Sequence, residues 1–227
     1  MAIRRQPFKL LYNPVPPFNM SIDNTALLIL DVQRFTVDES GGLAKLAREK
    51  GIISEFKDFF ESVKTMISNI QLILSKCRDL GIRIIFTRLV LTNENVHDTN
   101  IQNKARGINK IFSLEDSHFL DNLYPKKNEI IIDKKCDNPF NCTKLEYILR
   151  KMGVKYLLIC GVLSPGYLNT TALDAADRGL GIVAISDACA GGVRGGTQFL
   201  TGGLIRVRST HSVMEYLSSI CDEGDKR

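Results

Sequence analysis

Acidic, basic and amide side chains stand at the ends of several apolar runs, where such residues could carry out acid/base chemistry. Asp31 ends one run, Lys134 ends a second and Asp187 ends a third. A buried carboxylate beside a lysine can accept or deliver a proton, because burial and ion pairing together set its pKa. Positions after apolar runs are also held by Gln33, Arg88 and residues 161–167. Each position alone has a structural explanation, such as a loop cap or a solvated charge, so the prediction of a site depends on their placement together.

The apolar runs predict the strands that would bring these side chains together. The runs are continuous rather than alternating, which is typical of parallel strands buried on both faces. The predicted strands are residues 26–32, 82–87, 129–134, 155–162, 181–187 and 204–208, and the predicted helices are residues 52–80, 143–152, 167–178 and 210–219. In the first helix, apolar residues recur at spacings of three and four. Alternating strands and helices imply a three-layer α/β/α, Rossmann-like fold with a mainly parallel six-stranded sheet.

A parallel sheet gives the chemical residues one shared location. Ligands of open α/β sheets bind beyond the carboxyl ends of the strands. Asp31, Lys134 and Asp187 follow the first, third and fifth predicted strands. We therefore predict a small-molecule site at that edge of the sheet. A nucleotide-binding Rossmann site is not expected, because no GxGxxG motif follows the first strand.

Length and composition limit the remaining possibilities. The 227 residues suit a single domain, residues 1–227, and the content of 44% hydrophobic and 24% charged residues is ordinary for a globular protein. The net charge of +5 comes from scattered Lys and Arg residues, so no nucleic-acid partner is expected. No apolar run reaches the roughly 20 residues of a membrane span. We expect a cytoplasmic protein with reduced cysteines and no membrane partner.

Residues 1–20 are predicted to form an extended N-terminal arm. Pro7, Pro14, Pro16 and Pro17 deny this stretch helical and ladder hydrogen bonds. Its apolar residues favour docking on the body of the domain or on a neighbouring subunit, and a floppy tail is the alternative. Paired glycines in the segment 191–203 predict a mobile loop whose role the sequence does not define.

Four segments resemble the isochorismatase-like (cysteine hydrolase) superfamily. They are Leu-Ile-Leu-Asp-Val-Gln at 28–33, the run from Lys134 to Leu145, the run from Gly161 to Ala175, and Asp187-Ala188. The resemblance spans most of the chain and implies an isochorismatase-like hydrolase without a cofactor, assembled as a homodimer or homotetramer. It also implies a catalytic triad with Asp31 as general acid/base and Lys134 as its cationic partner. The third member would be a cysteine at the start of the helix after the fourth strand, where the helix N-terminus stabilises a thiolate.

Tyr167 occupies the position that the resemblance assigns to the nucleophilic cysteine. Cys160 lies inside a predicted strand, and Cys136 and Cys142 flank the lysine motif, so no other cysteine is an obvious replacement. The first hypothesis is therefore a hydrolase that acts on a small, anionic molecule by acid/base chemistry without a cysteine nucleophile. Isochorismatases of the superfamily lack the cysteine and cleave a vinyl ether with the aspartate as proton donor. Asp31 would play that role here and Lys134 would bind the anion.

Two other hypotheses remain open. One is a C–N amidohydrolase in which Tyr167 or a recruited cysteine replaces the nucleophile. A tyrosine has an ordinary pKa near 10, so its phenolate would need a cation such as Lys134 or Arg88 close by. The other is a non-catalytic binding or scaffold protein. An open pocket between Asp31, Lys134 and Tyr167 would favour an enzyme, whereas a tyrosine ring that fills the pocket beside an ion-paired Asp31 would favour the non-catalytic protein.

The remaining site predictions concern the pocket wall. Substrate contacts are predicted for Gln33, Arg88, Phe140, Leu163 and Gly166. The resemblance also implies a cis peptide bond between Val162 and Leu163. No metal site is expected, because His97, His118 and His211 are scattered along the chain.

Overall fold

Six parallel strands form one sheet at the centre of the protein. The computed structural model describes residues 15–91, 100–164, 166–191 and 203–224. The strands are β1 (Thr25–Leu30), β2 (Arg83–Leu89), β3 (Ile130–Lys134), β4 (Tyr156–Ser164), β5 (Gly181–Gly191) and β6 (Ile205–Arg208). Their order across the sheet is β3-β2-β1-β4-β5-β6, and every neighbouring pair is parallel. The predicted six-stranded, Rossmann-like α/β fold is confirmed.

The helices cover the sheet and close the crossovers between the strands. They are α1 (Arg34–Val37), α2 (Gly42–Glu49), α3 (Lys57–Leu80), α4 (Ile101–Ala105), α5 (Ile108–Ile111), α6 (Pro139–Cys142), α7 (Leu145–Lys151), α8 (Gly166–Asp177) and α9 (Thr210–Gly224). Helix α3 packs on β5 and against α9, while α8 packs on β4. All six residues of β1 are buried, so both faces of the sheet are covered at its centre. Continuous apolar runs therefore form the core, as parallel strands require.

Several element boundaries differ from the predicted ones. The long helix begins at Lys57, because residues 53–56 form a 3₁₀ turn instead. Strand β5 continues through Gly191, four residues beyond the predicted end at 187. The helix predicted over residues 143–152 spans Leu145–Lys151, and the Glu146 carboxylate in its first turn pairs with Arg150 and Arg178. Helices α1, α2, α4 and α5 lie in segments for which the sequence predicted no regular structure, because each is short and lacks a long apolar repeat.

The described part of the N-terminal arm is docked on the domain. Phe18 packs on Tyr156 with 5.2 Å between ring centroids. The backbone N–H of Asn19 donates to the Tyr156 hydroxyl at 3.0 Å. Phe18 and Asn19 therefore contact the body of the domain. Residues 1–14 of the arm and most of the predicted loop 191–203 lie outside the described residues.

Candidate active site

A cavity opens where the order of the strands reverses. The chain runs outward from β1 through β2 to β3, then returns to the other side of β1 with β4. The loops that follow β1 and β4 therefore diverge, and such a switch point is where open α/β sheets bind ligands. Asp31 directly follows β1, and Leu163 lies near the end of β4. Both line a cavity of about 50 Å³.

The Asp31 carboxylate is held by two donors from neighbouring strands. Its Oδ2 lies 2.8 Å from the Lys134 Nζ, and its Oδ1 accepts a hydrogen bond of 2.7 Å from the Thr87 hydroxyl. Thr87 belongs to β2 and Lys134 ends β3, so three adjacent strands deliver the three groups to one point. The side chains of Asp31 and Lys134 are only 4% and 2% exposed. Both contacts hold the carboxylate in one orientation beside the cavity.

The backbone at Asp31 turns sharply away from the strand. Its φ of 55° lies in the left-handed region, which aspartate tolerates better than most residues. The Thr36 hydroxyl donates to the Asp31 carbonyl at 2.5 Å, and the Asp31 N–H donates to the Thr87 carbonyl at 3.1 Å. These contacts fix the direction in which the carboxylate leaves the sheet.

Close packing between β1 and β4 requires a glycine beside the site. Gly161 has a φ of 115°, and a Cβ placed there would lie 2.1 Å from the Leu30 carbonyl oxygen. The register between β4 and β5 also shifts around Gly161. The peptide bond between Val162 and Leu163 is cis, which confirms the prediction.

Tyr167 lies in the first turn of α8 and forms part of the cavity wall. Its hydroxyl accepts a hydrogen bond of 2.9 Å from the Arg106 guanidinium. The same Nη1 of Arg106 lies 3.3 Å from the Asp137 carboxylate, and the guanidinium lies 5.8 Å from the centre of the tyrosine ring. Arg106 therefore links Tyr167 to Asp137, both of which line the cavity. The Arg106 side chain is 46% exposed, so it is also accessible to solvent.

The surroundings of Tyr167 keep its hydroxyl protonated. Burial raises the pKa of Tyr167 above its ordinary value, and the carboxylates of Asp137 and Asp31 raise it further. Arg106 acts in the opposite direction but does not reverse the shift. The Lys134 Nζ lies 5.6 Å from the ring centre and is paired with Asp31. Tyr167 is thus suited to donate a hydrogen bond rather than to act as a phenolate.

The Lys134 ammonium is paired with other groups of the protein. Besides Asp31, its Nζ donates to the Cys136 carbonyl at 2.9 Å. Its side chain is almost completely buried, so an anionic substrate would have to replace one of these partners. The geometry therefore assigns Lys134 to holding Asp31 rather than to binding an anion.

The cavity is small beside a typical ligand site. One water molecule needs roughly 10–15 Å³ of such space, so about 50 Å³ holds a few waters. Pockets for drug-sized ligands usually measure about 300–1,000 Å³. A substrate would enter only after part of the wall moves, and Tyr167 with its Arg106 contact is one part of that wall.

Comparison with known proteins identifies the family to which this site belongs. The model of the isochorismatase domain matches residues 25–204, which contain strands β1 to β5 and Asp31, Lys134 and Tyr167. The chain belongs to the isochorismatase family. Six parallel strands with the switch point between β1 and β4 are therefore the family scaffold in this chain.

Relatives within the isochorismatase family are distant in sequence. The chain is 25% identical over 174 residues to the secreted isochorismatase effector Isc1 of Verticillium dahliae, covering 77% of this chain and 76% of that protein. It is also 25% identical over 185 residues to the ureidoacrylate amidohydrolase RutB of Acinetobacter baylyi, covering 74% of this chain and 71% of that protein. The cytoplasmic location stays a prediction, since one of these relatives is a secreted protein.

The fold is shared with solved structures at low sequence identity. A cysteine hydrolase from Pseudomonas syringae superposes with a TM-score of 0.73 at 20% sequence identity. The likeness covers 92% of this chain and 99% of that chain. The two chains therefore share one fold over nearly the whole length of this chain.

The predicted site residues separate into two groups. Asp31, Lys134, Tyr167, Gln33 and Leu163 line the cavity. The Gln33 amide is engaged by the backbone: it donates to the carbonyls of Leu89 and Asp116 and accepts from the Leu89 N–H. Gln33 is thus a structural clamp within the wall.

The second group lies outside the cavity wall. Arg88 pairs with Asp133 at 2.6 Å and lies over the Phe119 ring. Phe140 is buried beneath the Arg178 guanidinium. Gly166 begins α8 but is not a lining residue, and Asp187 caps α9 by accepting from the Thr210 N–H at 2.7 Å. Successive side chains of a strand point to opposite faces, so Arg88 points away from the face on which Thr87 contacts Asp31. This explains why Arg88 does not line the cavity.

Several lining residues were not found from the sequence. They are Phe35, Thr36, Leu43, Leu89, Asn103, Ile108 and Asp137. Arg106 and Thr87, which contact Tyr167 and Asp31, were also missed. Asp137 lies three residues after Lys134 in a segment already assigned to the site, so its position in the sequence could have predicted it as a lining residue. Arg106 and Asn103 come from the irregular segment after β2, where the sequence carries no such signal.

The described cysteines offer no thiolate near Asp31. Cys77, Cys160 and Cys189 are free and buried. Burial raises the pKa of Cys77 to about 12 and raises the pKa values of Cys160 and Cys189 strongly. None of the three lines the cavity. Cys136 is disulfide-bonded, so the expectation that all the cysteines are reduced is wrong; sequence spacing does not reveal which thiols meet in the folded chain.

No cluster of three or more His, Cys, Asp or Glu side chains is arranged to hold a metal ion in the part of the chain that the structure describes. Within the same residues, no helix is long and apolar enough to cross a membrane.

Proposed function

We propose that this member of the isochorismatase family is a thiol-independent hydrolase that acts on a small, anionic molecule. The observation that carries the proposal is the buried Asp31–Lys134 pair at the wall of the switch-point cavity. Removing two charges from water is costly, and a buried ion pair often stabilises a fold less than apolar residues would. Such a pair at a ligand-binding edge is therefore best explained by chemistry.

In the proposed reaction, Asp31 is a general base and water is the nucleophile. The carboxylate, positioned by Lys134 and Thr87, takes a proton from a water in the cavity. The resulting hydroxide attacks the carbonyl carbon of an amide, ureide or ester. Asp31 then returns the proton to the leaving nitrogen or oxygen as its bond to carbon breaks. This differs from vinyl-ether cleavage, in which Asp31 would act first as the proton donor.

Helix α8 would stabilise the charge that develops during this attack. The first N–H groups of a helix have no acceptor within the helix, and its N-terminus carries a partial positive charge. Helix α8 begins at Gly166, between the lining residues Leu163 and Tyr167. Donors that are fixed before the reaction stabilise an oxyanion more than mobile water does.

Arg106 is the cation that we assign to the anionic group of the substrate. Lys134 is paired with Asp31 and the Cys136 carbonyl, whereas Arg106 is half-exposed and contacts the lining residues Tyr167 and Asp137. A guanidinium binds a carboxylate through two parallel hydrogen bonds. In the absence of substrate, Asp137 occupies this position, so a substrate carboxylate would displace Asp137 and release Tyr167 at the same time.

A second candidate function is a non-catalytic binding protein. The observation that favours it is the cavity of about 50 Å³, closed on one side by Tyr167 and beside an ion-paired Asp31. The Asp31 ion pair meets one of the two conditions that favour a non-catalytic protein, and the small cavity with Tyr167 in its wall comes near the other. In this case the Tyr167–Arg106–Asp137 contacts would be permanent rather than broken by substrate.

A hydrolysis screen with matched variants tests the proposal. The substrates are amides, esters, isochorismate and ureides, including ureidoacrylate, the substrate in the name of one relative. We expect wild-type turnover of at least one compound and a loss of roughly 100-fold or more in Asp31→Asn, the scale of a lost general base. Asp133→Asn is the control, because this aspartate is half-exposed and lies on the outer strand β3.

The outcomes distinguish the two candidates. Equal rates in wild type and Asp31→Asn on every substrate would contradict the hydrolase. Binding of a compound without turnover, together with activity gained only by Tyr167→Cys, would identify a disabled cysteine hydrolase. Thermal unfolding of each variant shows whether a lost activity reflects a lost fold.

A further inference from the structure

A second cavity lies on the opposite side of β1 from β3, near the amino ends of strands β4 to β6. It measures about 210 Å³, roughly four times the cavity beside Asp31. Its lining comes from these three strands, from α9 and from the docked N-terminal residues, including Phe18. The two cavities share no lining residue, so a ligand here would not compete with one at Asp31.

The floor of this cavity is an apolar row across the sheet. Leu158 of β4 pairs with Val183 of β5, and Val183 pairs with Arg206 of β6. Residues paired in register point to the same face, so these side chains stand side by side. Val213 of α9 lies opposite, and Leu158, Val183 and Val213 are all buried. The interior therefore suits a hydrocarbon group.

Two arginines stand together at the edge of this apolar floor. Arg206 and Arg208 are two residues apart on β6, so they leave the same face of the strand, and both line the cavity. Among the residues that the structure describes, neither forms a salt bridge with a carboxylate. Two like charges this close repel each other, and an anion between them would relieve the repulsion.

The arginines keep donors for such an anion. Arg206 gives one N–H to the Pro16 carbonyl at 3.0 Å and stacks 3.8 Å above the Phe18 ring. Arg208 gives one N–H to the Val207 carbonyl at 2.8 Å. A guanidinium has five N–H donors, so these contacts orient both groups without exhausting them. Stacking on Phe18 and the bond to Pro16 also hold Arg206 in place before a ligand arrives.

We propose that this cavity binds a small amphiphilic carboxylate, with its hydrocarbon part over Leu158, Val183 and Val213 and its head group between Arg206 and Arg208. At roughly 10–15 Å³ per water-sized group, the scale applied above to the cavity beside Asp31, 210 Å³ holds about 14 to 21 such groups. A six-carbon to eight-carbon acid fits within this space, and an apolar lining with a few fixed polar groups is the usual form of a ligand site. The site is independent of the reaction proposed for Asp31.

Titration calorimetry of the full chain with hexanoate tests the proposal. We expect saturable binding, with Arg206→Gln and Arg208→Gln each weakening the affinity by roughly tenfold or more, the effect of losing charge-assisted hydrogen bonds. Hexanol and hexylamine have the same hydrocarbon chain without the carboxylate. Each should bind the wild-type protein no more tightly than hexanoate binds the arginine variants. Arg48→Gln is the matched control, because Arg48 is an exposed arginine of α2 that does not line the cavity.

Filling the cavity locates the binding. Val213→Phe places a ring where the hydrocarbon would lie, and it should abolish hexanoate binding while thermal unfolding shows a folded protein. Ser212→Phe, from the same wall, replaces it if Val213→Phe does not fold. The proposal is overturned if hexanoate does not saturate, if hexanol binds equally well, or if the filled variant binds like wild type. A dimer that the filled variant abolishes would instead assign the cavity to a second copy of the chain.

Discussion

The Lys134 ammonium lies 2.8 Å from the Asp31 carboxylate, and both side chains are almost completely shielded from water. Strands β1 and β3, which carry them, are separated by β2, whose Thr87 hydroxyl reaches the other carboxylate oxygen at 2.7 Å. Both oxygens of the Asp31 carboxylate thus have a partner within the protein. Removing only one member of the pair should destabilise the fold more than removing both, because the remaining charge stays buried without a partner.

Lys134→Met should therefore destabilise the protein strongly. We expect a loss of about 3–5 kcal/mol in the free energy of unfolding, measured by urea denaturation, because Asp31 is left buried and unpaired. Adding Asp31→Asn to Lys134→Met should recover part of that loss, since no buried charge remains. The control is Arg88→Met, which breaks the half-exposed pair with Asp133 and should cost about 0–1 kcal/mol. Equal losses in the two single variants would contradict the argument.

Arg106 and Asp137 should affect substrate binding in opposite directions. If a substrate carboxylate replaces Asp137 on Arg106, then Arg106→Gln raises KM by roughly tenfold or more, the worth of a charge-assisted contact. Asp137→Asn should lower KM, because the competing internal carboxylate is gone. Arg106→Lys should restore part of the affinity but lose the paired geometry.

The split between KM and kcat is the decisive readout for these two variants. If the contact were purely structural, the substitutions would change neither KM nor kcat selectively. If the contact serves binding, they should change KM while kcat stays within a few-fold of the wild-type value. A KM for Asp137→Asn above that of wild type would show that Asp137 assists binding rather than competing with it.

Buried thiols should make the protein lose stability in alkaline solution. Burial raises the pKa of Cys77 from its ordinary value of 9.0 to about 12, and it raises the pKa values of Cys160 and Cys189 as well. Above about pH 9 the unfolded chain releases these protons while the folded chain keeps them, so unfolding becomes more favourable as pH rises. Tyr167, whose pKa is also raised, acts in the same direction at higher pH.

A single substitution isolates the contribution of Cys77. Each such thiol lowers the free energy of unfolding by about 1.4 kcal/mol per pH unit between its unfolded and folded pKa values. Serine does not titrate in this pH range. The free energy of unfolding of Cys77→Ser should therefore fall less steeply with pH than that of wild type, by about 1.4 kcal/mol per pH unit between roughly pH 9.5 and 11.5. Urea unfolding under anaerobic conditions measures the slope. Parallel slopes for wild type and Cys77→Ser would refute the assignment.

The sheet was predictable because burial on both faces leaves a simple pattern. Each of β1, β2, β4 and β5 is a continuous apolar run in the sequence, and each was found within a few residues of its observed bounds. The site followed from a topological rule, since a residue after a parallel strand lies at the carboxyl edge. That rule located Asp31 and Lys134 without any knowledge of their contacts.

Details that depend on alternation and on loops were not predictable. Thr87 and Arg88 both stand at the end of β2, and only the alternation of strand side chains decides which one meets Asp31. The sequence-based choice of Arg88 lacked that information. Arg106 comes from a segment without regular periodicity, so its contact with Tyr167 depends on how α4 and α5 fold over the sheet.

Two glycines of the site should respond differently to the same substitution. Gly161→Ala places a Cβ 2.1 Å from the Leu30 carbonyl oxygen, at a φ of 115° that side chains rarely adopt, so β1 and β4 must separate. We expect a loss of at least about 3 kcal/mol in the free energy of unfolding, because strain and a backbone clash act together. Gly166→Ala meets no atom within 4 Å and lies at the start of α8, so its stability should stay within about 1 kcal/mol of wild type.

Gly166→Ala therefore tests whether a ligand approaches the start of α8. Because the variant should stay folded, a change in its activity would not reflect a loss of stability. If a substrate carbonyl contacts the first N–H groups of α8, an added methyl group at Gly166 crowds it and lowers kcat/KM, although the fold is intact. The measurement is kcat/KM beside the urea unfolding curve for the same preparation. Unchanged kcat/KM would mean that the substrate does not approach the start of α8, and the oxyanion would have to be stabilised by other donors around Leu163 and Tyr167.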